Sequence, residues 1–180
     1  MLLFTLPFVA VILLTTSGIN VVSNLLVTVN PSTQTVQIHN PNGTVTNITR
    51  SMEWPVSGVV TLEFGQPDLP YQLFHSGIDI ANPNGKIGDP IVPLMDGKVT
   101  YAASDLSGYG EHIIIDHGNN VSSLYGHLSA IYVYPGEWVH LKQVIGEEGQ
   151  TGWATGPHLH FQINVYNIPI NPRTFLTGNP

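Results

Sequence analysis

The stretch Gly156-Pro157-His158-Leu159-His160-Phe161 runs on through Gln162-Ile163-Asn164-Val165 and reads as a strand over residues 158–165. A strand places residues i and i+2 on one face, so His158 and His160 point together into one cleft. One of them can ligate a metal ion while the other reaches water or substrate. A second cluster, His75-Ser76-Gly77-Ile78-Asp79, supplies an imidazole and a carboxylate four residues apart, with Gly77 expected to let the backbone bend between them. Together His75, Asp79 and His160 offer three ligands and leave a fourth tetrahedral position open, the arrangement of a catalytic zinc site.

Composition narrows the chemistry further. The chain has 180 residues, room for one domain with a sizeable core and a short appendage. It has no cysteine, which excludes thiolate zinc sites and disulfides and leaves His and carboxylate as the metal ligands. A formal charge of −7 with only five Lys plus Arg provides no basic patch for phosphate, so nucleic acid is not an expected partner. Eight histidines against those five cations is an unusual ratio. His75, His127, His158 and His160 sit beside glycines, aromatics or a carboxylate, whereas His39 and His140 do not.

Outward from the two clusters, the chain punctuates itself with 18 Gly and 14 Pro, which favours short strands joined by turns. The expected strands are residues 59–64, 91–94, 97–102, 112–116, 121–125, 131–133 and 158–165, the rhythm of an all-β sandwich or barrel. No segment carries a sustained 3.6-residue apolar period. Residues 25–52 read as a β-hairpin appendage, or stalk, turning at Pro41-Asn42-Gly43, and residues 53–180 as the main domain. Residues 1–24 contain no charged side chain, and Leu2 to Leu14 is an apolar run of signal-peptide length, short for a membrane span. That segment is expected to be a cleaved signal or a retained membrane anchor, placing the chain outside the cytoplasm or on a membrane.

A zinc hydrolase also needs a group that takes a proton from the attacking water. The helical His-Glu-x-x-His arrangement is absent, and no glutamate adjoins either cluster. The base is therefore a histidine, with His127 (in Tyr125-Gly126-His127-Leu128) and His158 as candidates. Their division of labour does not follow from spacing. His117 reads as a structural residue or one lining the groove, and Tyr125 as a buried strand tyrosine.

Over about residues 54–176 the chain resembles the LytM/lysostaphin-type zinc endopeptidases. The resemblance rests on Trp54-Pro55, Phe64-Gly65, His75-x-Gly-x-Asp79, Gly88-Asp89-Pro90, Asp96-Gly97-Lys98-Val99, Tyr109-Gly110, Ile115-Asp116-His117-Gly118, Tyr125-Gly-His127-Leu128, Gly149-x-Thr-Gly152, Thr155-Gly-Pro-His158-Leu-His160-Phe and Asn171-Pro172, all in the family's order. It implies His75, Asp79 and His160 as ligands of one zinc ion, His127 and His158 as catalytic histidines, and a compact antiparallel β domain with a groove ending at the metal. The implied substrate is the stem peptide or cross-bridge of bacterial peptidoglycan. Two stretches depart from the pattern: Leu141-Lys142-Gln143 ahead of Ile145-Gly146, and Gln162, where an acidic residue is common.

The leading expectation is thus a zinc endopeptidase that cuts peptidoglycan cross-links, exported or membrane-anchored. The alternatives are a non-catalytic activator or binding module on the same fold, and a component of a larger assembly such as a virion. Modules of the first kind typically lose metal ligands, and all five key positions survive here.

Overall fold

The computed structural model describes residues 17–49, 52–68, 73–104 and 108–180. Its organising element is β13 (Leu159–Val165), which pairs along one edge with β9 (Val121–Gly126) and along the other with β5 (Ile78–Ala81) and then β14 (Ile168–Ile170), all antiparallel. Pleating sends alternate side chains to opposite faces. Leu159, Phe161, Ile163 and Val165 are fully buried in the apolar core, while His160 and Gln162 lie buried on the other face. The full path of the sheet is β11-β7-β8-β9-β13-β5-β4, with β4 (Val59–Leu62), β7 (Gly97–Ser104), β8 (Glu111–Asp116) and β11 (Trp138–Val139). A small sheet of β10 (Ala130–Ile131), β12 (Gly146–Glu147) and β6 (Pro90–Ile91) adds Ile91 and Ile145 to the same core.

The β-branched runs explain the central strands. Ile113 and Ile115 on β8, Val99 on β7 and Val121 on β9 fill one continuous cluster with Tyr125 and Phe161. Two expected strands shrink. The segment expected at residues 91–94 is ordered as a strand only at Pro90–Ile91, because Pro93 has no N–H to donate and the Leu94 N–H is taken by the Tyr125 hydroxyl at 2.7 Å. The expected 131–133 strand is Ala130–Ile131. Within the main domain four strands carried no recognised signal: β5, β11, β12 and β14. The β13–β14 hairpin turns on Tyr166 and Asn167, both at positive φ (55° and 61°), and a tyrosine there gives none of the usual Asn-Gly warning.

The appendage is a three-stranded antiparallel sheet, β1 (Val27–Val29), β2 (Val36–His39) and β3 (Val45–Ile48), preceded by a helix α1 at residues 17–26. The expected turn around Pro41-Asn42-Gly43 is present, with Gly43 at φ 82°. The sheet is packed on the main domain and is no free stalk: Val27, Val36 and Ile38 share the cluster that holds Ile170 and Phe175. The Tyr166 hydroxyl donates to Asn40 Oδ1 at 2.8 Å, and the Asn171 N–H to Ser23 Oγ at 3.1 Å. Of the expected signal or anchor, residues 1–16 lie outside the described residues; among the described residues no helix is long and apolar enough to cross a membrane.

One buried acid is a measurable liability. Glu148 is fully buried; its N–H donates to Asp89 O at 2.8 Å, its Oε1 faces the Asn82 N–H at 3.4 Å, and its Oε2 has no partner. Burial, aided by the nearby charge of Asp89 and opposed by the Asn82 N–H, pushes the carboxyl up to about 6. The folded state therefore binds this proton more tightly than the unfolded state, whose value is near 4.5. Stability contributed by the protonated form is complete below pH 4.5 and is lost as pH rises through about 6. Glu148→Gln is expected to be more stable than wild type above that range by roughly 1 kcal/mol, about 2–4 °C in Tm. The difference should vanish near pH 4, as read by paired melts across pH; a gap independent of pH would refute the assignment.

Candidate metal centre

The register of β5 on β13 sets the site. Asp79 stands directly opposite His160, and on the other side of β13 His160 is opposite Gly126, the last residue of β9. His75 arrives from the loop ahead of β5, anchored by its N–H to Gln66 O at 2.6 Å and by the Gly65 N–H to its carbonyl at 2.8 Å. Gly77 serves a different purpose from the expected bend. Its φ is not in the left-handed region; instead a Cβ there would collide with the Phe161 carbonyl oxygen and stand 3.0 Å from His160 Cε1. The glycine lets the His75–Asp79 segment lie hard against β13.

His75 Nε2, Asp79 Oδ1 and His160 Nδ1 converge, with His75 Nε2 to Asp79 Oδ1 at 3.0 Å, His160 Nδ1 to Asp79 Oδ1 at 3.0 Å, and the two nitrogens 2.9 Å apart. The spacing is close to the ligand–ligand edge of about 3.3 Å that bonds of roughly 2.0–2.1 Å imply for a tetrahedron. These three groups form a cluster that can hold a metal ion. Both imidazoles are almost fully buried, at 1% and 3% exposure, so these nitrogens find their partners in one another and in Asp79. Burial pushes the His160 imidazole toward its neutral form, against the pull of Asp79. Asp79 is itself penalised by burial, but His160 and His75 outweigh that and hold its carboxyl well below the usual range. An ionised Asp79 beside a neutral His160 is the protonation state a divalent cation requires of those two groups.

His127 and His158 stand next to this cluster with their rings 4.6 Å apart. His127 follows β9 in a left-handed conformation, φ 64°, which swings its ring out of the strand's path and toward the cleft. Its Nδ1–H donates to the Thr151 carbonyl at 2.8 Å, and the His158 Nδ1–H to the Gly156 carbonyl at 2.9 Å. A carbonyl can only accept, so in the neutral ring each Nε2 carries the lone pair. Burial, with repulsion from His158 and His160, pulls His127 down to about 4 and keeps it neutral at physiological pH. His158 Nε2 lies 3.6 Å from Asp79 Oδ2. All five residues border one cavity of about 300 Å³, whose outer walls are Asp68, Tyr109, Trp153 and Thr155.

The structure thus brings His75, Asp79, His127, His158 and His160 into one cleft and keeps the remaining histidines out of it. His117 is structural: it bonds the Asp96 carbonyl at 2.9 Å and Ser123 Oγ at 2.7 Å, and Ser123 continues to the fully buried Tyr125. His140 makes an exposed pair with Asp96, and His39 bonds Thr28. Sequence reasoning gave no role to Tyr109 or Trp153. A signal for them existed in Gly108, Gly110 and Gly152, all at positive φ: a Cβ on Gly110 would stand 2.5 Å from the Gly152 nitrogen, so the two wall loops touch only because both are glycine there.

The family described as Peptidase family M23 matches residues 73–172. The DD-carboxypeptidase/endopeptidase Mpg of Neisseria meningitidis serogroup B is 42% identical over 114 residues, 63% of this chain and 25% of that protein. The murein hydrolase activator NlpD of Salmonella typhimurium is 34% identical over 154 residues, 84% of this chain and 39% of that protein. A crystal structure of a zinc containing peptidase from Vibrio cholerae superposes with a TM-score of 0.61 at 28% identity, covering 81% of this chain and 47% of that one. The chain spans well under half the length of these curated relatives.

Proposed function

The chain belongs to peptidase family M23, and from that premise we propose that it is a zinc-dependent endopeptidase hydrolysing the peptide cross-links of bacterial peptidoglycan. The observation that carries this reading is the convergence of His75 Nε2, Asp79 Oδ1 and His160 Nδ1 within 3.0 Å of one another, beside two histidines whose Nδ1 atoms are tied back. Zinc held by those three ligands would supply Lewis-acid polarisation of the scissile carbonyl and of the attacking water. His127, kept neutral with its lone pair on Nε2, takes the proton from that water. His158, its Nδ1–H held by the Gly156 carbonyl and its Nε2 beside Asp79, donates from Nε2 in its imidazolium form to the oxygen on which negative charge develops. Tyr109 and Trp153 confine an extended peptide in the cleft between them.

In this reading residues 53–180 are the peptidase domain, residues 25–52 the packed appendage, and the uncharged N-terminus ahead of the packed helix α1 an export signal or membrane anchor. The site of action is the cell envelope, where the substrate lies. Similarity to the Salmonella activator over 84% of the chain favours a second reading, a module that stimulates a separate murein hydrolase.

The test is incubation of the purified chain with defined cross-linked muropeptide dimers while bound zinc is measured. The peptidase reading expects about one zinc per chain and conversion of dimer to monomers that chelation stops. His127→Ala and His158→Ala should each keep the zinc and lose roughly 10²–10⁴ in turnover. Bound zinc with intact dimers, and stimulation of an added murein hydrolase, would establish the activator reading instead.

A further inference from the structure

Strands β8 and β9 pair in register as far as Ile113 opposite Tyr125. Continued regularly, that register would set Glu111 against His127. Instead the Leu128 N–H donates to the Glu111 carbonyl at 2.9 Å, which makes His127 one residue in excess, a bulge with its backbone in the left-handed region. A hydrogen-bonded antiparallel pair ordinarily exchanges two such bonds. Here a side chain takes the place of the return bond. The Glu111 N–H donates to Thr151 Oγ1 at 2.9 Å, and that hydroxyl donates to the Leu128 carbonyl at 2.9 Å. Both directions are forced, since a backbone N–H can only donate and a carbonyl only accept.

We infer that Thr151 is a positioning residue for His127: its hydroxyl holds the bulge open and its carbonyl sets the ring. This rests on the reading of His127 as the group that takes the proton from water. Thr151 lies outside the strands, and its own N–H reaches the His127 carbonyl only at 3.4 Å. The two shorter hydroxyl bonds are what anchor the residue whose carbonyl receives the His127 Nδ1–H at 2.8 Å. A left-handed residue other than glycine persists only where its surroundings over-determine it. Without the hydroxyl, Glu111 and Leu128 can close into a direct bond, and the Thr151 carbonyl loses its place beside Nδ1. The single proton of the neutral ring then distributes over both nitrogens, and part of the molecules lose the Nε2 lone pair that a base needs. His158 is held differently. Its N–H donates to the Gly149 carbonyl at 3.1 Å and its Nδ1–H to the Gly156 carbonyl, so the Thr151 hydroxyl bears on one catalytic histidine and not on the other.

That selectivity makes the role testable. Turnover of a cross-linked muropeptide dimer, zinc content and two-bond ¹⁵N–¹H correlations of the histidine rings are measured on the full chain. Thr151→Val is expected to keep stoichiometric zinc and to lower kcat by roughly 10- to 100-fold with KM little changed. It should also turn the single Nδ1–H signature of His127 into a mixture while His158 keeps its own. Thr151→Ser retains the hydroxyl and should retain every wild-type reading. Thr100→Val deletes a hydroxyl that bonds the Ile114 carbonyl at 3.2 Å between β7 and β8, and should leave turnover and the His127 signature unchanged. Should Thr151→Val not fold, Thr151→Ala, which sets no methyl against the Glu111 N–H, carries the same expectations. Wild-type kcat with a single Nδ1–H signature in a folded variant without the hydroxyl would overturn the inference, as would a Thr151→Ser variant that behaves like Thr151→Val. Should wild type leave the dimer intact, the peptidase reading fails, and the ring spectra still decide whether the Thr151 hydroxyl holds His127.

Discussion

His160→Ala is expected to lose zinc by more than roughly 100-fold, beyond the range seen when only a supporting residue is removed, and to reduce muropeptide cleavage to background. The ring supplies one of three ligand atoms, and its place opposite Asp79 in the β5–β13 register sets its Nδ1 3.0 Å from the Asp79 carboxylate. Gly126, facing it from β9, has no side chain to offer in its place. Stability should divide in an informative way. In excess zinc the wild type gains the stabilisation of a ligand that binds only the folded state, and the variant does not. In chelator the two should melt closer together, because the zinc contribution is then absent from both and only the hydrogen bonds and packing of His160 separate them. Calorimetry with and without zinc, beside zinc content and dimer cleavage, reads all three. Stoichiometric zinc with undiminished cleavage would remove His160 from the metal centre.

The second large effect belongs to a residue with no chemistry of its own. Gly77→Ala would drive a methyl into the Phe161 carbonyl oxygen, with His160 Cε1 at 3.0 Å and the Phe161 carbonyl carbon at 2.9 Å. The obstacle is backbone in the middle of the central strand, so rotamer changes cannot relieve it. Either β5 moves away from β13, breaking the pairing that sets Asp79 against His160, or the His75–Asp79 segment distorts. A cost of about 3 kcal/mol or more is expected, roughly 6–12 °C in Tm for a chain of this size, together with loss of zinc binding. Gly156→Ala is the control: nothing lies within 4 Å of its Cβ and its φ is ordinary, so it should stay within about 0.5 kcal/mol of wild type. Thermal melts and zinc titration of the pair check this, and equal behaviour of the two variants would discard the close-approach argument.

Much of the centre was legible in the sequence because its chemistry is written in local spacing. His158 and His160 share a face through strand pleating alone, and the absence of cysteine leaves only nitrogen and oxygen ligands. Other parts were hidden for identifiable reasons. Strand β5, which carries Asp79, is four residues long, and its two apolar core residues, Ile78 and Ile80, are too few to mark a strand. Strand β14 follows a turn with tyrosine at positive φ, a residue that does not announce such a turn. Gln162 stood out only as a departure from the pattern, since its partners Ser76 and Tyr109 lie 86 and 53 residues away.

The sequence by itself determined which side chains could make a metal centre, the all-β class of the domain and the face on which the paired histidines of β13 stand. Tertiary structure decided which atoms meet. It set Asp79 opposite His160, gave Gly77 its role as a contact rather than a hinge, and turned His127 inward at φ 64° with its Nδ1 on the Thr151 carbonyl. The physical reason is one of range. Pleat and spacing act between residues i and i+2, whereas register, close approach and tautomer depend on strands that the chain brings together from 81 residues apart.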